Sequence, residues 1–223
     1  MIPLVIDLKV TFDSALSVGA GGSAGTIADK SIVRDGWGRP LIPGSQLKGK
    51  LRWAVEQLLR AMGEDIPSPF DETIEKPTIV RDLFGSPDLR SPLYFADLPA
   101  IVVEASQAHG MRQELSQIRP SVSINRRRGV AEDARLLFQE TALEGMQFAH
   151  ERAITGNLPD ENAKQYAALL WAALKFTDRW GGAKSRGLGW GNIEVMLTLG
   201  GEQLAEAKLA DALRAVLTQG GSQ

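Results

Sequence analysis

The sequence predicts an α+β protein with a ferredoxin-like core, built as a single elaborated domain over residues 1–223. Two segments with helical periodicity and four extended segments follow one another as strand–helix–strand–strand–helix–strand, which is the element order of that fold. A chain of this length with 43% hydrophobic residues can bury the core of one large domain. A long basic insertion lies between the second and third strands, and a glycine-rich loop precedes the last strand.

The first strand and the first helix have the clearest patterns. Residues 4–12 alternate between apolar and polar side chains, which predicts a half-buried strand. A glycine-rich loop follows, then a short strand-like SIVRD and the turn GWGRP. Ser45 is the expected N-cap of the helix, and Gly63 ends it. The apolar stripe of this helix consists of Leu47, Leu51, Ala54, Val55, Leu58 and Met62.

The rest of the chain supplies three extended segments, two helices and the insertions. Residues 63–92 are polar and rich in proline, which predicts a loop insertion. The string LYFADLPAIVVEA predicts a strand or a hairpin, and residues from about 112 to 145 form the basic insertion, whose periodicity is weak. The remaining predicted elements are a strand at 146–154, a helix at ENAKQYAALLWAALKFTDRW, a strand at NIEVMLTL and a short amphipathic helix at 203–217.

Composition excludes several classes of site. The chain has no cysteine, which excludes disulfides, thiolate catalysis and cysteine-ligated zinc. No apolar stretch reaches membrane-spanning length, and the first residues lack the pattern of a signal peptide. We therefore expect a cytoplasmic protein that does not bind a membrane. The net charge is only -2, but basic residues cluster at 30–52 and 112–135, which suits contact with a polyanion on one face.

The string PGSQLKGKLR is one residue short of a nucleotide-binding phosphate loop. Gly44, Gly49 and Lys50 fit G-x-x-x-x-G-K, but Leu51 stands where that motif needs a Ser or Thr hydroxyl for Mg²⁺. Leu51 also belongs to the apolar stripe, so Gly49 and Lys50 lie inside the helix rather than before it. The sequence therefore argues against a nucleoside-triphosphatase.

Three basic elements favour contact with a nucleic-acid backbone instead. Lys48 and Arg52 are one helical turn apart, near a helix N-terminus that offers unpaired N–H groups. The loop GGAKSRGLGWG carries Lys184 and Arg186 among glycines, which can turn tightly and present cations to a phosphate. The string INRRRG adds three consecutive arginines after Asn125.

These strings together resemble the RAMP superfamily of CRISPR-associated proteins. The similar blocks are IADKSIVRDGWGRPLIPGSQLKGKLR, DLFG, SINRRRGVAEDARLLFQE and GGAKSRGLGWG, and they cover most of the chain. Within the superfamily they look most like the backbone subunits of type III (Csm/Cmr-like) RNA-guided effector complexes.

The resemblance implies an RRM-like core with a thumb-like insertion, and several copies stacked in a filament along a guide RNA. It also implies other type III subunits and a complementary target RNA as partners, with the thumb kinking the guide–target duplex. In that family the PGSxLKG helix and the glycine loop contact the guide backbone. The residues that match by position, together with those of the thumb region, are Ser45, Lys48, Arg52, Asn125, Arg126, Arg127, Arg128, Lys184, Ser185 and Arg186.

The same resemblance implies a catalytic and metal-binding residue, Asp29. In the family, an aspartate in a D-x-x-x-x-R-D pattern cleaves target RNA with a divalent metal, and here Arg34 and Asp35 complete the pattern. The expected ion is Mg²⁺ or Mn²⁺, and the nucleophile is the target's own 2′-hydroxyl. One carboxylate is too few ligands for a full protein site, so the RNA must supply the others.

Two alternatives remain open from the sequence. The protein could be a non-catalytic structural or capping RNA-binding subunit of the same kind of complex; Lys30 follows Asp29 where relatives often have Ser-Pro. It could also process guide precursors, which usually requires a histidine as general acid or base. The two histidines, His109 and His150, lie outside the N-terminal segments where that branch places one.

Overall fold

Nine strands and four α-helices make up the computed structural model, which describes residues 1–19, 28–68, 78–102 and 115–220. In chain order they are β1 (Ile2–Phe12), β2 (Leu41–Ile42), α1 (Gly44–Ala61), α2 (Ile79–Phe84), β3 (Leu93–Phe95), β4 (Leu98–Pro99), β5 (Ser116–Asn125), β6 (Val130–Ala142), β7 (Gln147–Leu158), α3 (Ala163–Phe176), β8 (Gly191–Leu199), β9 (Glu202–Gln203) and α4 (Glu206–Gly220).

An antiparallel five-stranded sheet forms the centre, with strand order β3-β7-β1-β8-β9. The elements β1, α1, β3, β7, α3 and β8 follow one another in the predicted order, and the α+β class is confirmed. β1 forms because its side chains alternate: Leu4, Ile6 and Val10 are buried while their neighbours are partly exposed. The buried residues of α1 and α3 join the same core cluster, so both helices lie on this face of the sheet.

Helix α1 begins two residues earlier than predicted, and Ser45 does not cap it. The helix starts at Gly44, whose N–H donates to Asp97 Oδ1 at 2.7 Å. A Cβ at position 44 would lie 2.2 Å from the carbonyl oxygen of Phe95, so the close approach to the β3–β4 connection requires glycine. Ser45 is exposed in the first turn. The side-chain acceptor at the start of the helix is therefore Asp97, which binds the first N–H group, and not the predicted N-cap Ser45.

The predicted loop at 63–92 contains a helix, α2. Thr78 caps it by accepting a hydrogen bond from the Arg81 N–H at 3.2 Å, and Gly85 ends it with φ of +77°. Val80 and Leu83 are buried against the main core. Six residues are too few to show helical periodicity, which is why the pattern predicted a loop. Residues 69–77 of this segment lie outside the described residues.

Two other segments differ in detail from the prediction. LYFADLP forms two short strands that do not pair with each other: β3 pairs with β7, and β4 pairs with β2. SIVRD forms no strand, but makes single bridges from Ile32 to Gly19 and from Arg34 to Pro40. Its backbone is still anchored, because the Val33 N–H donates to the Val18 carbonyl at 2.9 Å.

The basic insertion is an antiparallel hairpin, β5–β6, which forms its own two-stranded sheet. Its base is fixed to the core by reciprocal backbone hydrogen bonds between Leu16 and Ala142, at 3.1 and 2.7 Å. Residues 103–114, which lead into it, lie outside the described residues. Within the described part of the chain, no helix is both long and apolar enough to cross a bilayer.

Candidate nucleic-acid interface

Lys50 and Lys184 meet where α1 faces the glycine-rich loop. Lys50 lies in the second turn of α1, and Lys184 starts a 3-10 turn in the loop. Burial and the neighbouring Lys184 ammonium lower the pKa of Lys50 to about 8, although Asp178 acts in the opposite direction. Two adjacent ammonium groups at a partly buried position favour binding of an anion between them.

An open cavity of about 340 Å³, here called the Lys50–Lys184 groove, lies between these elements. It is lined by Gln46, Gly49, Lys50, Trp53 and Lys184. The four α1 residues are spaced i, i+3, i+4 and i+7 and therefore share one face of the helix. A Cβ at Gly49 would meet no atom within 4 Å, so packing does not require glycine there. Gly49 destabilises the helix by about 1 kcal/mol relative to alanine. Because it has no side chain to fill the groove, the backbone of a ligand can approach the helix closely at this position.

The glycine loop presents its polar side chains from a rigid base. Lys184, Ser185 and Arg186 are exposed in the 3-10 turn, which follows Ala183 at φ +54° and precedes Gly187 at φ +80°. The base is held by hydrogen bonds from the loop to the segment after β1, since the N–H groups of 182 and 189 donate to the carbonyls of 17 and 15 at 2.7 and 2.9 Å. The loop therefore holds its cations in a defined place rather than as a flexible linker.

Gly189→Ala is expected to lower the free energy of unfolding by about 3 kcal/mol. The residue has φ of +77°, and a Cβ would lie 1.9 Å from the Trp180 carbonyl oxygen, so the loop base must shift. Gly187→Ala is the matched control: its φ is +80° but a Cβ there meets nothing within 4 Å, so we expect a loss of only about 1 kcal/mol. Urea unfolding of both variants measures the difference, and equal losses would contradict this packing.

Lys48 and Arg52 lie on a different face of α1 from Lys50. Arg52 Nε bonds Glu56 Oε1 at 3.0 Å, and its Nη1 donates to the Gly85 carbonyl at 2.9 Å, at the end of α2. Burial, and to a smaller extent Arg52, lowers the pKa of Lys48. The structure thus gives Arg52 a role in joining α1 to α2, and it brings Lys50, not Lys48 or Arg52, to the glycine loop.

Asp29 is exposed and is bound to the hairpin. Its N–H donates to the Phe138 carbonyl at 2.9 Å, and its Oδ2 accepts from the Phe138 N–H at 2.8 Å. The next residue, Lys30, makes a parallel bridge to Gln139, so this segment runs beside β6. The carboxylate therefore has a fixed position at the base of the hairpin, with Oδ1 forming no hydrogen bond to the described residues.

The other two residues of the D-x-x-x-x-R-D pattern shape the backbone. Arg34 Nη2 bonds Glu140 Oε1 at 2.5 Å and Ser116 Oγ at 2.8 Å, which joins the segment to both strands of the hairpin. Burial would raise the pKa of Glu140, but hydrogen bonds from Ile32 N–H, Ser116 and Arg34 outweigh it and lower that pKa. Asp35 accepts from two backbone N–H groups and from Arg39 Nε, closing the turn after it.

The tip of the hairpin carries the arginine triplet. Asn125 Oδ1 accepts from the N–H groups of Arg127 and Arg128 at 3.1 Å each, so this side chain forms the turn. Gly129, with φ of +67°, completes the turn. The side chains of Arg126, Arg127 and Arg128 are exposed. The tip therefore offers three cations, while the oxygen of Asn125 is already used within the protein.

Comparison with known proteins identifies the family of this chain. The model of the RAMP superfamily matches residues 9–193. The chain belongs to the RAMP superfamily. It is also similar to a protein of Mycobacterium tuberculosis (strain ATCC 25618 / H37Rv) named CRISPR system Cms endoribonuclease Csm3, at 29% identity over 165 residues. That similarity covers 72% of this chain and 67% of the relative.

Every site residue predicted from the sequence lies within the part that matches the RAMP model. The structure brings Lys184 of the loop to α1, and it brings Asp29 to the hairpin. Sequence reasoning missed Lys50 and Trp53 as groove residues, because it placed the helix's functional face at Lys48 and Arg52. Their spacing from Gln46 and Gly49 was the available signal, but only the position of the loop shows which face it meets.

A metal in this RAMP protein would depend on ligands from outside the described chain. Among residues 1–19, 28–68, 78–102 and 115–220, no group of three or more histidine, aspartate or glutamate side chains could hold an ion. Asp29 alone, with Oδ2 on a backbone N–H, offers one further carboxylate oxygen. That donor fits Mg²⁺ or Mn²⁺ only if RNA oxygens complete the shell, as those ions commonly permit.

Proposed function

We propose that this RAMP protein is a guide-RNA-binding backbone subunit of a type III CRISPR effector complex. Several copies stack along the guide with other subunits of the complex, and the subunit cleaves complementary target RNA in a metal-dependent way. The observation that carries the proposal is the Lys50–Lys184 groove, in which two adjacent ammonium groups from the motif helix and the glycine loop face one open cavity.

The architecture supports this proposal. The order β3-β7-β1-β8 with α1 and α3 on one face supports the proposal of a ferredoxin-like core, elaborated within a single domain. The β5–β6 hairpin is suited to act as the thumb. Ile118, Val122 and Leu136 on it are 41%, 48% and 55% exposed, so it presents apolar side chains as well as the arginine tip. An apolar wedge between stacked bases would kink a duplex.

Sequence-independent recognition follows from the chemistry of the groove. Its two lysines and the exposed Arg186 suit phosphates, which carry no sequence information. Ser45, which is exposed in the first turn of α1, and Lys48, on a different face of the helix from Lys50, are proposed as further contacts to the guide backbone. A protein that binds any guide in this way leaves specificity to base pairing. Since the net charge of the chain is -2, attraction of RNA depends on where these cations lie.

Cleavage is assigned to Asp29. A divalent ion bound there would polarise the scissile phosphate as a Lewis acid. The chain's own contribution is to hold the carboxylate at the hairpin base through Phe138, while the hairpin sets the kink that aligns the target's 2′-hydroxyl with the adjacent phosphate. A non-catalytic backbone subunit is the second candidate function, because the assignment of cleavage uses a single acidic residue, Asp29.

Guide processing by a histidine is not supported. His150 is exposed on β7 with Nδ1 against the Glu151 carbonyl, and it lines an open depression on the sheet face with Asp7 and Arg152. His109 lies outside the described residues. Neither observation places a general acid or base beside the groove.

RNA affinity is expected to fall about tenfold between pH 7 and 9 because of Lys50. Its pKa of about 8 in the free protein means that it loses its proton in this range, and a bound phosphate favours the charged form. As the pH rises and free Lys50 becomes neutral, the protein must therefore take up a proton on Lys50 in order to bind RNA. Lys50→Arg stays charged and should bind with little dependence on pH over the same range. Fluorescence anisotropy measures both profiles, and parallel curves would show that Lys50 does not contact the phosphate.

The stacking of copies is tested by varying the length of the RNA. Sedimentation of the protein with single-stranded RNAs of increasing length should give complexes whose protein content rises in proportion to length, one copy per fixed number of nucleotides. One copy per RNA at every length would contradict the backbone role.

A further inference from the structure

A pair of half-exposed aromatic rings borders the Lys50–Lys184 groove. Binding of a phosphate in the groove gives these rings no role. Trp53 on α1 and Phe176 at the end of α3 are 51% and 49% exposed. Their ring centroids are 6.3 Å apart and their planes differ by 24°, so they stack. By contrast, Trp180 is fully buried. Large apolar rings stacked at the surface beside cations point to a ligand with a flat apolar part.

One of the cations reaches over Trp53. Lys50 Nζ lies 5.8 Å from the centroid of that ring, and a second cavity of about 300 Å³ adjoins the first, lined by both rings together with Lys50, Thr177, Asp178, Arg179 and Lys184. The two depressions share Lys50, Trp53 and Lys184. The ring face and the two ammonium groups are therefore parts of one surface.

A third, independent feature is an unpaired acceptor in the same groove. Gln46 lines the groove, and its Oε1, which solvent does not reach, accepts no hydrogen bond from the described residues, so the side-chain amide must turn to meet a ligand. A buried acceptor without a donor is unfavourable, by about 1–3 kcal/mol. A phosphate diester has no donor to offer, whereas a ribose 2′-hydroxyl or a base N–H does.

We propose that the groove is a subsite for one whole RNA nucleotide, with its base stacked on Trp53, its phosphate between Lys50 and Lys184, and a ribose or base donor on Gln46. A nucleotide supplies the anion, the flat ring and the hydrogen-bond donor at once. Cavities of about 300 and 340 Å³ are also of the size that holds a small ligand. Stacking tolerates every base, so the subsite keeps recognition independent of sequence. This inference rests on the proposed function and adds a base contact to it.

The charge of the groove favours RNA over a second copy of the chain. The two adjoining cavities are lined by the cations Lys50, Arg179 and Lys184 and by one acid, Asp178, so positive charge exceeds negative charge there. The phosphate of each nucleotide in a bound RNA would neutralise this charge. An interface between two copies of this chain is instead one of the outcomes that the experiment below can detect.

The test compares a base-bearing RNA with a backbone that has no bases. Full-length protein is titrated with a fluorescein-labelled decauridylate and with an abasic oligomer of the same length and phosphate number. Trp53→Leu, which keeps an apolar side chain against Phe176, should weaken decauridylate binding by about 5- to 100-fold and leave the abasic oligomer unchanged. Trp53→Phe should restore most of the loss. Trp37→Leu removes an 83% exposed tryptophan outside the groove and should change neither affinity.

Quenching gives a second readout that does not depend on the leucine variant. Decauridylate should quench tryptophan fluorescence more in the parent than in Trp53→Phe, and the abasic oligomer should quench both equally. Unchanged decauridylate affinity in Trp53→Leu, or an equal loss with the abasic oligomer, would overturn the stacking. The stacking would also be overturned if Trp53→Leu changed the self-association of the protein, measured by sedimentation, while its RNA affinity stayed the same.

A charge variant separates this failure from failure of the proposed function. If Lys50→Glu plus Lys184→Glu weakens both oligomers while Trp53→Leu weakens neither, the phosphate contacts stand and the base contact is wrong. If the parent binds neither oligomer, both proposals fail.

Discussion

Asp29→Asn is expected to slow target cleavage by at least about 100-fold in the assembled complex, without loss of guide or target binding. An asparagine oxygen can still accept the Phe138 N–H, so the variant keeps the link between this segment and β6. It removes the negative charge that an ion requires. Single-turnover cleavage of a labelled target with Mg²⁺ measures the rate, and thermal unfolding checks that the fold is unchanged.

Asp29→Ala separates the charge from the position of the loop. It loses both the charge and the acceptor for Phe138, so it should cut as slowly as Asp29→Asn but unfold at a slightly lower temperature. Asp35→Asn is the control within the same sequence pattern: its carboxylate closes a turn with Arg39, so we expect reduced stability and retained cleavage. Cleavage at the parental rate in Asp29→Asn would favour the non-catalytic backbone subunit.

Lys50→Glu combined with Lys184→Glu is expected to weaken guide RNA binding by more than about 100-fold at physiological salt. The two lysines share one phosphate contact, and log K falls with log[salt] by about 0.7 for each phosphate neutralised on a single strand. The slope should therefore become shallower by about 0.7 in the double variant. Anisotropy titrations at several salt concentrations give both the affinity and the slope.

The matched control changes the same charge elsewhere. Lys9→Glu combined with Lys208→Glu alters two lysines that pair with Glu194 and Glu202, outside the groove. It should leave the salt slope unchanged. An equal effect of the two double variants would mean that RNA responds to net charge alone, and the groove would have no special role.

Arg52→Gln should affect stability more than RNA binding. Its guanidinium bonds Glu56 and the Gly85 carbonyl, so its loss leaves a partly buried acceptor and weakens the contact between α1 and α2. We expect a loss of about 1–2 kcal/mol in the free energy of unfolding and a change in RNA affinity of less than threefold. A large loss of affinity with unchanged stability would restore the direct RNA contact expected from the sequence.

Local periodicity explains what the sequence could predict. Leu4, Ile6 and Val10 alternate because one face of β1 is buried, and Leu51 repeats with Leu47 because one face of α1 is buried. Both patterns need only neighbouring residues. They fix the main helices and strands, and they correctly place Leu51 in the core rather than in a phosphate loop.

Contacts between distant segments explain what the sequence could not predict. The acceptor that meets the α1 N-terminus is Asp97, which is 53 positions from Gly44 and carries no local signal. The β5–β6 hairpin is exposed over most of its length, so it has no alternation to detect. The choice between Lys48 and Lys50 depends on where the glycine loop packs, which is a tertiary property.

The central claim is tested most directly by the RNA that the protein carries. The protein is purified from cells that also express a CRISPR array and the other type III subunits, and the mass of the native assembly and the length of its RNA are measured. We predict a large assembly with several copies of this chain and RNA of uniform length, released when Lys50 and Lys184 are both changed to glutamate. A protein that remains a monomer, free of RNA under these conditions, would contradict the account.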